Sequence, residues 1–139
     1  MLNEYSNNYY VVPTPSCTLN GNRVVSLVRL KQYIYCLTEH AASCGVPISF
    51  LGESSRHGLA TVFVSQCSKC HSIFRCDTSN MMTHNGESHY TTNVQAVLGQ
   101  VATGGGAEHL EEQFACLQIP SVTKATYFYS VRASLGNCI

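Results

Sequence analysis

Apolar residues at Leu27, Leu30, Ile34, Leu37 and Ala41 recur at three- and four-residue steps, and this period predicts one face of a helix. Ser26 is a suitable N-cap for it. Gly45 suits a left-handed position after the last turn, and Pro47 blocks continuation. Upstream, Val24 and Val25 suggest a short strand. Residues 1–22 are rich in Asn, Tyr, Pro and Ser, have no period, and read as a flexible leader.

Beyond the helix the pattern shortens. Residues 48–51 and 59–65 are dense in apolar and β-branched side chains and predict two strands. The polar, glycine-flanked run 52–58 reads as the hairpin loop between them, and 72–76 alternates as a third strand. Residues 77–92 are polar and turn-rich and predict a linker. Helical periodicity returns over 93–102 and stops at Gly104-Gly105-Gly106. A second helix fits 107–117, with Leu110, Phe114 and Leu117 inward. Gln118-Ile119-Pro120 breaks it, and Ser121 is placed to cap a third. The expected class is α+β: a helix and small zinc-ribbon-like β unit over 23–76, the linker, then a three-helix, helix-turn-helix-like unit over 93–139.

The chemistry concentrates at Cys67-Ser68-Lys69-Cys70, a knuckle able to hold two adjacent corners of a tetrahedral Zn²⁺ site. His40 and Cys44, four apart on the last helical turn, can supply the other two. His71 and Cys76 are spare candidates beside the knuckle. A redox thiol pair is the alternative, but such a motif lies between a strand and a helix, whereas this one has strand-like sequence on both sides. Four protein ligands leave no open position, so the expected zinc is structural.

Composition narrows the setting. Charged residues are 12% of the 139, about half the usual share. Eight acidic and eight basic side chains give zero net charge, so no global basic excess drives nucleic-acid binding. The eight cysteines stand in a chain whose start lacks the basic and apolar regions of an export signal, and no run is long enough for a membrane span. An intracellular, reduced setting is expected, with Cys36, Cys116 and Cys138 as small buried hydrophobes.

The last helices admit a helix-turn-helix reading in which Ser121, Thr123, Lys124, Thr126, Tyr127 and Arg132 face DNA. The competing reading is a bundle that only packs, because residues 93–139 hold two basic side chains against three glutamates. Catalysis has less support. A Cys–His hydrolase has no local signature here. A two-metal phosphoryl-transfer site needs several convergent carboxylates, whereas the chain has one aspartate, Asp77, and the adjacent Glu111 and Glu112 diverge on a helix. No small-molecule substrate is expected.

Gly58-Leu59-Ala60, Cys67-Ser68-Lys69-Cys70 and Thr78-Ser79 occur in an order and spacing that resemble the front part of Mutator-like transposase domains. The same holds for residues 93–97 with Thr103-Gly104-Gly105-Gly106, and for the segment 117–127. The resemblance covers about residues 23–135. It implies the zinc-binding and helical region of a cut-and-paste DNA transposase, nuclear, with transposon ends or protein as partner. The carboxylate triad of such enzymes is not matched, which implies a truncated copy or N-terminal fragment without activity, or a domesticated protein-interaction module. Many relatives have Cys-x-x-Cys where this chain has His40 and Cys44.

Overall fold

This computed structural model describes residues 19–135, so most of the expected leader, Cys17 and Cys138 lie outside the described residues. The described residues form a mixed α+β structure of four helices and two small antiparallel sheets. Helix α1 (Leu27–Cys44) is followed by strands β1 (Ile48–His57), β2 (Ala60–Cys67) and β3 (Ile73–Asp77), which form one sheet in the order β1-β2-β3. A second hairpin, β4 (Met81–His84) and β5 (Glu87–Tyr90), leads into α2 (Thr91–Ala102), α3 (Ala107–Cys116) and α4 (Lys124–Leu135).

Helix α1 ends as the sequence predicts: Gly45 adopts φ 75° and its N–H bonds the Ala41 carbonyl. Its buried face is rotated from the expected one. Tyr33 is the buried residue of the helix and its hydroxyl meets Ser65 Oγ of β2 at 2.5 Å, while Leu27 and Ile34 are exposed. Val24 and Val25 form no strand and lie in the extended approach to the helix.

Two polar stretches fold where loop and linker were expected. Residues 52–57 continue β1 opposite β2, with register shifts between Phe50 and Gly52 and between Glu53 and Ser55, so the hairpin turn shrinks to Gly58-Leu59. Glu53 is held there by Arg23 at 2.8 Å and Arg56 at 2.6 Å. Within 77–92 the Asn85-Gly86 pair turns the β4–β5 hairpin, both residues at positive φ (49° and 78°), as a two-residue type I′ turn requires.

The hairpin tip joins the helices. Leu59 is 3% exposed and clusters with Val97, Leu110, Val122 and Tyr127. Asn93 of α2 fixes the tip from the side: its Oδ1 accepts from Leu59 N and its Nδ2 donates to the His57 carbonyl, each at 2.8 Å. Gly58 (φ 63°) is needed beneath it, since a Cβ there would meet Asn93 Oδ1 at 2.7 Å and Val122 Cγ1 at 2.8 Å.

Candidate metal centre

Three stretches of chain converge at one end of the sheet. Helix α1 presents His40 and Cys44 one turn apart on a single side. The Gly45 reversal and Pro47 then turn the chain so that β1 begins at Ile48, directly opposite Cys67 at the end of β2. Cys67 is thereby brought beside Cys44, their sulfurs 3.7 Å apart. The Ser68-Lys69-Cys70 turn folds back, with His71 N bonding the Cys67 carbonyl, and delivers Cys70 Sγ to 3.2 Å from His40 Nε2.

The four ligand atoms of His40, Cys44, Cys67 and Cys70 all lie within 4.8 Å of one another, so the group can hold a metal ion. A tetrahedral ion with sulfur at about 2.3 Å and nitrogen at about 2.05 Å sets ligand separations of about 3.6–3.8 Å. The Cys44–Cys67 separation of 3.7 Å already matches, and the Cys70–His40 separation of 3.2 Å needs only a small opening.

The protein prepares these donors unequally. Ser72, through its hydroxyl 3.0 Å from Cys70 Sγ and through its backbone, pulls the Cys70 thiol down to about 6. Hydrogen bonds from the backbone of Cys70 and then of Lys69 lower Cys67, against the burial that raises it. Burial, followed by the neighbouring Cys67 and Cys70, raises Cys44, so its proton leaves last. Contact with Cys67 raises His40, with a smaller push from Cys70. The edge of the Phe74 ring, 4.9 Å from the imidazole, braces its orientation.

Neither spare candidate joins the cluster. Cys76 is buried under α1, its Sγ 3.9 Å from the Arg29 carbonyl oxygen, and His71 is exposed at φ 61°. The sequence offered no spacing signal for two supports: Ser72, and Lys69, whose Nζ bonds the Cys44 carbonyl at 3.0 Å.

Of the six residues expected to face DNA, five lie at or just before the start of α4 and Arg132 in its last turn, and several have internal roles. The third helix begins at Lys124, and Thr123 caps it, its Oγ1 accepting from Thr126 N at 3.2 Å. Tyr127 is 5% exposed and bonds the Gly105 carbonyl at 3.4 Å, while Ser121 Oγ is buried without a hydrogen-bond partner among the described residues. Lys124 pairs with Glu108 at 3.0 Å, Thr126 Oγ1 meets Thr123 Oγ1 at 3.0 Å, and Arg132 is exposed in the last turn. Among the described residues no helix is long and apolar enough to cross a membrane.

A family model described as Mutator-like transposase matches residues 21–133, which take in the candidate metal cluster, both sheets and nearly all of the helical region. No curated protein and no solved structure matches the chain.

Proposed function

The chain belongs to the Mutator-like transposase family, and on that premise we propose that it supplies a zinc-organised recognition region of a cut-and-paste DNA transposase. The observation that carries this reading is the convergence of His40, Cys44, Cys67 and Cys70 from separate segments to within 4.8 Å. Three thiols and one imidazole in a compact, four-cornered arrangement favour Zn²⁺ over the harder divalent cations, which take oxygen ligands. With all corners supplied by the protein, the ion ties helix end, hairpin and knuckle together and contributes folding free energy. Catalytic carboxylates would come from elsewhere in such an enzyme, since this sequence has a single aspartate.

DNA contact falls to the start and outer side of α4. Lys124, Thr126 and Arg132 offer side chains to phosphates, while Ser121, Thr123 and Tyr127 shape the approach to the helix. The small number of cations limits that contact to a few phosphates, so the salt slope should be shallow, about −0.9 per phosphate neutralised.

The test is metal content and fold of the purified chain. One zinc per chain is expected, with loss of both zinc and the ordered amide signals of residues 40–76 in the Cys67→Ser/Cys70→Ser double variant. A double variant that keeps its fold without metal would overturn the structural-zinc reading. Titration with DNA carrying transposon termini at two salt concentrations tests the DNA arm, and a salt-independent, sequence-independent response removes it.

A further inference from the structure

Two of the four candidate ligands are juxtaposed by the fold although they are distant in the chain. Cys44 Sγ and Cys67 Sγ are 3.7 Å apart across a sequence separation of 23. A disulfide sets its sulfurs at about 2.05 Å, so side-chain rotation has to close about 1.7 Å. The backbone at both ends is held for this approach. The Gly45 N–H bonds the Ala41 carbonyl where α1 ends, Ile48 pairs with Cys67 across the β1–β2 ladder, and Cys67 N bonds the Ser72 carbonyl at 3.0 Å.

By sequence the obvious partner of Cys67 is Cys70. All four ligand atoms lie within 4.8 Å of one another, so Cys70 is also near, but its sulfur is engaged elsewhere. It stands 3.2 Å from His40 Nε2 and 3.0 Å from Ser72 Oγ, and a Cys67–Cys70 bond would have to draw it from both.

We propose that Cys44 and Cys67 form a reversible disulfide when a peroxide oxidises the site, and that this bond replaces the zinc tie between the end of α1 and the end of β2. The starting state rests on the structural-zinc reading; the choice of pair rests on the sulfur geometry. The Cys44 thiolate attacks the peroxide O–O bond, a sulfur–oxygen bond forms, and hydroxide leaves. The Cys67 thiolate then attacks that sulfur, the disulfide forms, and a second hydroxide leaves. The two sulfurs give up two electrons and the peroxide takes them. Among the described residues Cys44 is only partly buried whereas Cys67 is 0% exposed, which sets the order of the two attacks.

His40 and Cys70 then remain as protein ligands, too few to close a tetrahedral site, and the ion is released. The helix end and the sheet stay joined through residues 44 and 67, while the knuckle and His40 are freed from one another. Oxidation thus exchanges one cross-link for another and loosens chiefly the knuckle.

The test is zinc release and a non-reducing peptide map of the zinc-loaded full chain after treatment with hydrogen peroxide. The zinc should be lost together with two thiols per chain, a linked peptide pair should carry Cys44 and Cys67, and dithiothreitol with added zinc should restore both thiols and metal. Cys70→Ser keeps the reacting pair and should give the same linked peptides. A map dominated by a Cys67–Cys70 link, by sulfinic acid at Cys44 or by pairs among the other cysteines overturns the proposal, as does zinc lost with both thiols intact. A chain purified without zinc fails the structural-zinc reading instead, and its map after peroxide still decides whether Cys44 and Cys67 are the pair.

Discussion

Lys69 reaches out of the knuckle to the end of α1, donating a hydrogen bond of 3.0 Å from its Nζ to the carbonyl oxygen of Cys44. The helix C-terminus carries partial negative charge and unfilled carbonyls, which an ammonium satisfies. The same ammonium sits beside a ligand set that would carry a net negative charge around a divalent ion. Lys69→Met should therefore weaken zinc binding by about threefold to tenfold, the scale of one exposed charge-assisted hydrogen bond. Competition with a chromogenic chelator measures it, and an unchanged affinity would show that Lys69 is a bystander.

The Cys70 thiol, lowered to about 6 from its ordinary 9.0, favours the folded state of the metal-free chain as a thiolate. That stabilisation is present in full above the unfolded thiol's ordinary value and is lost as pH falls through about 6. Iodoacetamide labelling of metal-free protein should show Cys70 reacting with a midpoint near pH 6. Because the Ser72 hydroxyl is the first cause of the shift, Ser72→Ala should move the midpoint upward. A midpoint that stays where it was would shift the cause to the surrounding backbone.

Asn93 is 4% exposed and supplies both hydrogen bonds that hold the hairpin tip. Asn93→Ala leaves the Leu59 N–H and the His57 carbonyl without that partner, at a cost of about 2–4 kcal/mol. Urea denaturation gives the number. Asn93→Asp keeps the acceptor and loses the donor, so it should fall between the parent and the alanine variant.

Leu59→Ala should cost about 2–4 kcal/mol through the lost burial and the cavity left among Val97, Leu110 and Tyr127. Since Leu59 sits on the sheet's hairpin but is enclosed by the helices, amide exchange should accelerate in α2 and α3 as well as in β1 and β2. Acceleration confined to the hairpin would mean that the two regions open separately.

The convergence of His40, Cys44, Cys67 and Cys70 was legible because they come in two short-spaced pairs, and the spacing alone placed His40 and Cys44 on one side of a helix turn. The rotation of α1 was not. The helix carries apolar side chains on both sides, so the period of Leu27, Leu30, Ile34, Leu37 and Ala41 selects no unique inner face. The polar contact between Tyr33 and Ser65, from a distant strand, marks the face that is buried. Residues 52–57 read as a loop because strand prediction follows side chains, whereas pairing there depends on backbone groups and on the buried Glu53 with its two arginines. Asn85-Gly86 was a usable turn signal, hidden by the polarity of the strands it joins. The start of α4 moved from Ser121 to Lys124 because two hydroxyl residues compete for the cap, and only Thr123 has Thr126 N within reach.

The enclosed tip at Leu59 also bears on how the polypeptide can be divided. A cut through the hairpin-bearing residues 77–92 would separate the segments on either side of what looked like a linker. The first piece would keep all four candidate metal ligands and yet present a bare leucine to solvent, and the second would keep its helices with a hole at their centre. Each would be expected to aggregate or to seek the other, so complementation on mixing is the natural behaviour of the halves.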